Sequence, residues 1–443
     1  MRRLMPISAF VIVLLSVSPA LADVTWQPLG ALSTGAGPAI QPQVAVGASG
    51  DSVYVWRRSD GGTDCSGSPC DRIQTRSRSA AGVLSSIQTL SPTGQNASSP
   101  QVAVDTNGDA VFVWQRSDGT NSRIQARVRT AAGVLGPTLT LSAAGQDADY
   151  PQVAMDPNGN AVFVWQRFDG TQERIQARAL SAAGVRSATQ TLSAADQDAE
   201  HPQVGVDANG NAVFAWDSAD GTTQRIQARA RSAAGTLAAR QTLVASQFAS
   251  DVHLAVDPSG DAVFAWIGYD GTVSRIQFRA RSASGALGSL QTLSDPGKNA
   301  NQPRVGIDLG GNAVIMWQRF DLANVVQIRA RSAAGTLSPT QDLAGTTGTS
   351  TGVNAQLAVD PQGNAIAVWE DREGTAFCCM NVLGRVRSAD GTLGATQALS
   401  TAGKDAQEPS VAVDPNGNAF AVWHEATNAS TPDQRIYAGV GAY

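Results

Sequence analysis

The sequence predicts an all-β fold, an eight-bladed β-propeller of four-stranded antiparallel blades. Two observations carry this prediction. A motif close to Pro-Gln-Val-Ala-Val-Asp-Pro-Asn-Gly-Asn-Ala-Val-Phe-Val-Trp recurs eight times at a spacing of roughly 50 residues, and a period of this size indicates one small unit stacked many times. No helical periodicity follows residue 22. Each copy of the motif ends in a tryptophan: Trp56, Trp114, Trp165, Trp216, Trp266, Trp317, Trp369 and Trp423.

The repeat that begins at Pro151 illustrates the predicted strands. Its first strand ends at the turn 156–160, where Asp bonds its own backbone, Pro presets φ and Gly adopts a positive φ. The apolar run 161–165 is typical of a strand buried on both faces. Residues 174–179 alternate polar and apolar, as a half-buried strand does, and 189–192 form the fourth strand.

A single four-stranded sheet cannot bury two apolar faces, so the repeats must pack on one another. Radial repetition gives a propeller, and an open solenoid is the alternative. Residues 24–33 match the fourth strand of a repeat, while the last repeat has only three strands and ends with the third, at 435–438. The N-terminal strand is therefore expected to complete the last blade, which closes the ring and removes both sheet edges.

Residues 1–22 are predicted to be a secretory signal peptide, because Arg2 and Arg3 precede a short apolar stretch and Ala20-Leu21-Ala22 resembles a cleavage site. The expected location is secreted or periplasmic, with cleavage near Ala22. Residues 23–443 are expected to form one propeller domain. Its repeats start near residues 42, 100, 151, 202, 252, 303, 355 and 409.

The composition narrows the classes of partner. The net charge is −5, and lysine occurs only at Lys298 and Lys404, so no basic surface for nucleic acid is expected. No segment after residue 22 is apolar enough to insert into a membrane. Three histidines and the cysteine spacing fit no metal motif. We expect a monomer without a cofactor or a metal.

The four cysteines can form disulfides if the protein is exported, because compartments outside the cytoplasm are oxidising. Cys65 and Cys70 lie in one Gly/Ser/Pro-rich insertion and are predicted to be bonded to each other. Cys378 and Cys379 are adjacent, so they either form a vicinal disulfide or pair with the first two.

Three repeated features are interpreted as structural. The tryptophans are expected in the core between blades rather than on a sugar-stacking surface. The Asp-x-Asn-Gly turns lack the downstream Glu of a calcium loop, so we interpret them as turns. The arginines of the third strand are expected to pair with the turn aspartates; they are Arg76, Arg127, Arg178, Arg229, Arg279, Arg329 and Arg387.

The candidate binding site is the upper face, which we define as the face carrying the connections from fourth to first strands and from second to third strands. These loops vary more than the strands do, and their longest hairpins cluster in the blades that flank the ring closure. A ring of carboxylates and amides there suits a cation, a sugar or a basic peptide, and ordinary solvated loop polarity is the alternative. The candidate ligand-binding residues are Asp147, Asp149, Asp198, Glu200, Asn299, Asn301, Asp405 and Glu408.

The repeat resembles the TolB-type, WD40-like repeat of secreted bacterial propellers. The resemblance rests on the Leu-Ser…Asp-Ala-x-x-Pro-x-Val-Ala-x-Asp-x-x-Gly-x-Ala pattern, seen from Leu141 to Ala161 and recurring over nearly the whole mature chain. The turn departs from the family, with Val-Asp-Pro-Asn-Gly in place of Ser-Pro-Asp-Gly. The pattern is also distantly similar to the sialidase Asp box, although the spacing of Gly and Trp differs. The resemblance implies the propeller fold and says little about the activity.

No catalytic constellation is recognisable, because the three histidines lie in different repeats and glutamate is scarce. The sequence therefore favours an exported, non-catalytic binding or scaffold module that recognises a protein or a glycan through its upper-face loops. The alternative is an extracellular glycosidase or lyase with carboxylates at the upper mouth of the propeller. Two carboxylates close together in an upper pocket would favour the alternative.

Overall fold

The computed structural model describes residues 24–442 apart from 36, 63–64, 66–67, 247, 321–323, 345–351, 373–378 and 428–432. The predicted signal peptide and Cys378 lie outside the described residues. Within that described part, the chain forms eight antiparallel four-stranded sheets and no helix. The first strands contact one another in sequence around a ring, and the strand of the eighth sheet contacts that of the first. The eight-bladed propeller predicted from the repeats is confirmed.

Each blade contributes four strands, numbered along the chain. The innermost strands are β2 (Ala39–Val46), β6 (Ala97–Val104), β10 (Ala148–Met155), β14 (Asp198–Val206), β18 (Ala249–Val256), β22 (Asn299–Ile307), β26 (Val353–Val359) and β30 (Ala406–Val413). The second strands are β3 (Ser52–Ser59), β7 (Ala110–Ser117), β11 (Ala161–Phe168), β15 (Ala212–Ala219), β19 (Ala262–Tyr269), β23 (Ala313–Phe320), β27 (Ala365–Arg372) and β31 (Ala419–Ala426).

The outer half of each blade is built in the same way. The third strands are β4 (Asp71–Arg78), β8 (Ser122–Arg129), β12 (Glu173–Leu180), β16 (Gln224–Arg231), β20 (Ser274–Arg281), β24 (Asn324–Arg331), β28 (Met380–Arg387) and β32 (Gln434–Ala442). The fourth strands are β5 (Gln88–Thr89), β9 (Leu139–Thr140), β13 (Gln190–Thr191), β17 (Gln241–Ser246), β21 (Gln291–Thr292), β25 (Gln341–Asp342), β29 (Gln397–Ala398) and β1 (Thr25–Ala31).

Strand β1 closes the ring as the sequence predicts. It pairs antiparallel with β32 in the last blade, so that the sheet order is β1-β32-β31-β30. Leu32, just after β1, is fully buried, and its N–H donates to the carbonyl of Ile436 at 2.7 Å. The first and last segments of the chain are therefore held in one sheet.

The core lies between the blades. The eight motif tryptophans are at most 2% exposed, and those of the third and fourth blades pack against the second and third strands of the preceding blade. This explains why the second strand reads as a continuous apolar run: both of its faces meet other blades, and neither meets water.

The turn aspartates act within their own hairpins. In the third blade, Oδ1 of Asp156 accepts the N–H groups of Asn158 and Asn160, and Oδ2 accepts the Nδ2 of Asn160 at 2.8 Å. These carboxylates are used by the turn, so they have little capacity left for an arginine.

The arginines of the third strand do not pair with the turn aspartates, contrary to expectation. Nε of Arg127 donates to the carbonyl of Gly136 at 2.7 Å, and Nη1 donates at 3.2 Å to the carbonyl of Leu90 in the preceding blade. The seventh blade uses Arg385 in this way, whereas Arg387 donates to Oε1 of Gln341. In blades one to seven, one arginine of the third strand therefore ties two blades together through backbone carbonyl groups.

Replacing Arg127 with Ala is expected to destabilise the fold by about 2 kcal/mol, because two carbonyl groups lose a charged donor. Urea unfolding followed by tryptophan fluorescence measures this. Arg186→Ala is the matched control: Arg186 is exposed and makes one long bond, at 3.4 Å, to the carbonyl of Thr140. Equal midpoints for the two variants would show that the tie between blades contributes nothing.

The predicted disulfide between Cys65 and Cys70 is confirmed, with a Cα–Cα distance of 5.2 Å. It closes a short loop in the hairpin that joins the second and third strands of the first blade. Cys379 is buried.

Candidate functional site

The upper mouth of the central channel is built from a backbone irregularity that occurs in every blade. Near the start of each innermost strand the pairing register shifts, and one non-glycine residue there adopts a left-handed conformation, with φ between 49° and 56°. Such bulges redirect side chains. The eight residues, which we call the mouth ring, are Gln41, Ser99, Tyr150, His201, Asp251, Gln302, Asn354 and Glu408.

Part of the mouth ring borders a polar cavity of about 410 Å³ at the top of the channel. Its walls carry amide, hydroxyl, phenol and carboxylate groups together with the prolines that follow the ring residues. The lining side chains include Gln41, Ser99, Tyr150, Asn354, Gln356 and Glu408. A cavity with convergent polar groups of this kind suits a hydroxyl-rich ligand.

Glu408 is the carboxylate of the mouth ring on the closing blade. Its Oε2 accepts the N–H of Gln41 at 2.7 Å and lies 3.2 Å from Nδ1 of His424. Partial burial opposes ionisation, but the neighbouring His424 ring and the hydrogen bond from the Gln41 N–H outweigh it and hold the pKa of Glu408 below its usual range. Glu408 is therefore ionised over most of the accessible pH range.

Glu370 lies next to Glu408 and is 4% exposed. It follows Trp369 on β27, and its Oε1 accepts the N–H of Glu408 at 2.8 Å and the Nδ2 of Asn354 at 3.0 Å. Burial raises the pKa of Glu370 in spite of these two hydrogen bonds. Two neighbouring carboxyl groups thus have pKa values displaced in opposite directions, an arrangement that assigns one as an acid and the other as a base.

His424 completes this cluster from β31. Its side chain is buried, and within the described residues neither ring nitrogen makes a hydrogen bond of good geometry, although Nδ1 lies 3.2 Å from Oε2 of Glu408. A buried polar atom without a partner costs free energy, so the ring nitrogens of His424 are available to a ligand or a reacting group. We call Asn354, Glu370, Glu408 and His424 the acid cluster.

A second group on the mouth ring repeats part of this geometry three blades away. Asp217 follows Trp216 as Glu370 follows Trp369, and its Oδ2 accepts the N–H of Asp251 at 2.9 Å. Nδ1 of His201 lies 3.3 Å from the same oxygen, and this hydrogen bond raises the pKa of His201. Burial raises the pKa of Asp251. The rings of His201 and Tyr150 also meet edge to face, with centroids 5.2 Å apart.

Four of the residues predicted to bind a ligand make the same structural contact. Oδ1 of each accepts the first N–H of the third strand in the preceding blade, at 2.7 Å for Asp147, 2.9 Å for Asp198 and 3.0 Å for Asn299 and Asp405. These side chains connect neighbouring blades on the upper face and do not border the cavity described above.

The other four predicted residues lie in different surroundings. Burial raises the pKa of Asp149, Glu200 is exposed, and Oδ1 of Asn301 is buried without a partner in the part of the chain described. Only Glu408 of the eight borders the cavity.

Four residues of this site do not stand out in the sequence: Glu370, His424, Asn354 and Gln41. Two signals mark them. The residue after the motif tryptophan is charged or titratable in only some copies, and the mouth-ring residue directly precedes the proline in most repeats. Neither signal reveals that the bulge brings the two positions together across a blade boundary.

Metal and membrane features can be assessed for the described residues alone. No group of three or more His, Cys, Asp or Glu residues within that range is arranged to hold a metal ion. The same residues contain no helix that is long and apolar enough to cross a bilayer.

No family model matches the chain, and no curated protein matches it. Solved structures similar in fold include a puromycin hydrolase, with a TM-score of 0.50 and 15% identity over 91% of this chain and 60% of that one. A prolyl endopeptidase has a TM-score of 0.50 and 13% identity, covering 88% of this chain and 53% of that one. The polysaccharide lyase Uly1 has a TM-score of 0.48 and 10% identity, covering 79% and 90%.

The likenesses to the puromycin hydrolase and the prolyl endopeptidase support the fold alone, and this chain spans little more than half the length of either enzyme. The comparisons correct the function that the sequence favours. The neighbours with a TM-score of 0.50 are enzymes, so the interpretation as a non-catalytic binding or scaffold module is wrong.

Proposed function

We propose that the chain is an exported glycosidase that cleaves a glycan at the upper mouth of the propeller. The observation that carries this proposal is the neighbouring pair Glu370 and Glu408, whose pKa values are displaced upward and downward respectively. Glu408 borders the polar cavity, and the buried Glu370 lies directly behind it, where it accepts the Glu408 N–H. Glycoside hydrolysis uses two carboxyl groups of this kind, one protonated and one ionised.

The roles follow from the hydrogen bonds. Both protein donors to Glu370 reach Oε1, so the proton of its neutral form resides on Oε2, from which it is given to the glycosidic oxygen. Glu408 is ionised and 44% exposed at its side chain, so its carboxylate faces the substrate as the base or nucleophile. His424 and the Gln41 N–H hold that carboxylate in place.

The polar wall of the cavity supports a glycan as the substrate. Amide and hydroxyl groups of Gln41, Ser99 and Asn354 bind sugar hydroxyls, and the half-exposed ring of Tyr150 offers a surface for the apolar face of a sugar. Export is supported by the Cys65–Cys70 disulfide, which is typical of oxidising compartments. We propose that residues 1–22 direct this export and are removed near Ala22.

A panel of polysaccharides tests the proposal, with reducing ends measured as the product. The expected result is cleavage of at least one glycan, lost in Glu408→Gln by about 10²–10⁴-fold, because the ionised group is replaced by a neutral amide of the same shape. Glu200→Gln is the control, since Glu200 is an exposed acid on the same face. An active Glu408→Gln variant would refute the role of this residue.

The products separate hydrolysis from elimination. A glycosidase releases saturated sugars, whereas a lyase leaves a double bond in the new non-reducing end, which absorbs ultraviolet light. Saturated products are expected. An unsaturated product that still requires Glu408 would reassign the chemistry to a lyase.

The pH dependence of kcat/KM is expected to be bell-shaped. Activity rises with pH as Glu408 loses its proton, below the usual pKa of a glutamate, and falls as Glu370 loses its proton, above that usual value. A profile that keeps rising past neutral pH would contradict the role of Glu370 as the acid.

A further inference from the structure

The wall of the channel just below the mouth ring is made by the residues two positions further along each innermost strand. We call them the second ring: Gln43, Gln101, Gln152, Gln203, His253, Arg304, Gln356 and Ser410. Several bridge to the next blade, as the Oγ of Ser410 does to Oε1 of Gln43 at 3.3 Å. Burial, with a smaller contribution from Arg304, lowers the pKa of His253 to about 3, so this histidine is neutral. Arg304 is thus the single cation among the eight.

Arg304 has neutral partners. Its Nη1 donates to the carbonyl of Pro303 at 2.8 Å, and its Nε donates to Oε1 of Gln356 at 3.3 Å. Asp251 acts on Arg304 through the electrostatic field, yet among the described residues no carboxylate forms an ion pair with this guanidinium. Arg304 is therefore a partly exposed cation whose guanidinium has no carboxylate in ion-pair contact, so it can accept an anionic ligand from the channel.

The guanidinium is connected to the cavity through Gln356. Gln356 borders the cavity together with Asn354 and Glu408, so the bond from Arg304 reaches its wall. With Nε and Nη1 engaged, the remaining N–H donors of the fork are available to an anion. A planar fork of this kind recognises a carboxylate or a sulfate more specifically than a lysine does.

We propose that Arg304 is the specificity determinant of the mouth and binds the acidic group of a uronate-containing glycan. This inference rests on the proposed function in one respect, that a glycan occupies the mouth. Arg304 is not assigned to the cleavage step: it selects an anionic sugar and positions it beside Glu408. A sulfate ester would present the same charge to the same donors, and the experiment separates the two sources.

The test measures binding by calorimetry, with the cleavage-deficient Glu408→Gln background used throughout so that probes stay intact. The probes are an oligogalacturonate, a sulfated galactan oligomer and a neutral cello-oligomer of equal length. Arg304→Gln removes the charge, Arg304→Lys keeps it without the fork, and Arg240→Gln removes an exposed arginine elsewhere as the matched control. Thermal melting confirms that each variant is folded.

The expected result is that the oligogalacturonate binds more tightly than the neutral oligomer, and that Arg304→Gln weakens it about tenfold or more. Arg304→Lys should retain part of the affinity, and Arg240→Gln all of it. Tighter binding of the sulfated oligomer, with the same loss in Arg304→Gln, assigns the anion as a sulfate and overturns the uronate. If Arg304→Gln does not fold, the salt dependence of binding is measured on the chain that keeps Arg304. A fall in oligogalacturonate affinity with added salt, without a fall for the neutral oligomer, then supports the proposal.

Two outcomes would overturn the inference. One is equal binding of acidic and neutral oligomers, and the other is acidic binding that Arg304→Gln leaves unchanged. If neutral glycans are nevertheless cleaved by the parent chain and spared by Glu408→Gln, the proposed function stands and only the choice of substrate fails. If no glycan is cleaved but Arg304-dependent binding of the acidic oligomer persists, the proposed function fails and the role of Arg304 in anion binding stands.

Discussion

Replacing Glu370 with Gln is expected to abolish glycan cleavage and, at neutral pH, to make the fold more stable. The amide keeps an oxygen for the N–H of Glu408 and for Nδ2 of Asn354, but it has no proton to give. A lost general acid typically lowers the rate by about 10²–10⁴-fold. Loss of activity is therefore expected without loss of structure.

The gain in stability follows from the direction of the pKa shift. Burial raises the pKa of Glu370 in the folded chain above its unfolded value, so the folded state binds this proton more tightly. The stability that the neutral group contributes is complete below the unfolded pKa and is lost as the pH rises through the folded pKa. Gln cannot ionise, so the variant keeps that stability at neutral pH.

Thermal melting of both proteins across a pH series measures this difference. The two melting temperatures should converge under acidic conditions, where Glu370 is protonated in both states, and separate as the pH rises. Asp198→Asn is a useful control, because Asp198 is an exposed acid whose side chain accepts a backbone N–H. A variant that melts below the parent at neutral pH would show that Glu370 is ionised and structurally required.

Removing residues 24–33 is expected to unfold the propeller rather than to trim its edge. Strand β1 supplies the fourth strand of the last blade, and its removal uncovers β32 along its length. Val24 and Leu32, each at most 2% exposed, leave the core, and Ile436 loses both of its backbone contacts with this segment. Domains are stable by only about 5–15 kcal/mol, so a loss spread over a whole strand is decisive.

Complementation separates strand loss from damage elsewhere. The shortened chain should lack a cooperative melt, and a synthetic peptide of residues 24–34 should restore one, with a melting temperature that rises with peptide concentration. The same peptide with Leu32→Asp is the control. A cooperative melt of the shortened chain alone, close to that of the parent, would show that the ring does not depend on this closure.

The propeller could be predicted because its signals are local and repeated eight times. The apolar run 161–165, the turn 156–160 and the tryptophan each specify one part of a blade, and repetition averages out the exceptions. The fourth strand at the N-terminus was recognisable because it copies the pattern of the other repeats. The disulfide could be predicted because Cys65 and Cys70 are only five residues apart in the sequence.

The acid cluster could not be predicted in the same way. Glu370 and Glu408 meet across a blade boundary, and their contact depends on a bulge that turns the Glu408 N–H toward the neighbouring blade. A polar loop residue such as Asp147 has the composition of a ligand site, yet its carboxylate serves as a tie between blades. The hydrogen bonds of Arg127 to backbone carbonyls could not be predicted either. Every residue has a backbone carbonyl, so the sequence does not show which one accepts a bond.

The bulge at the mouth also bears on how the chain can change. Eight side chains of differing chemistry stand at one backbone position, and none is β-branched, because left-handed backbone disfavours such residues. The strand beneath each is nearly the same in every blade, so the tryptophan core does not depend on which side chain stands above it. Single substitutions can therefore alter the chemistry of the mouth one blade at a time, and duplicated blades offer a scaffold on which new ligand preferences evolve without repacking.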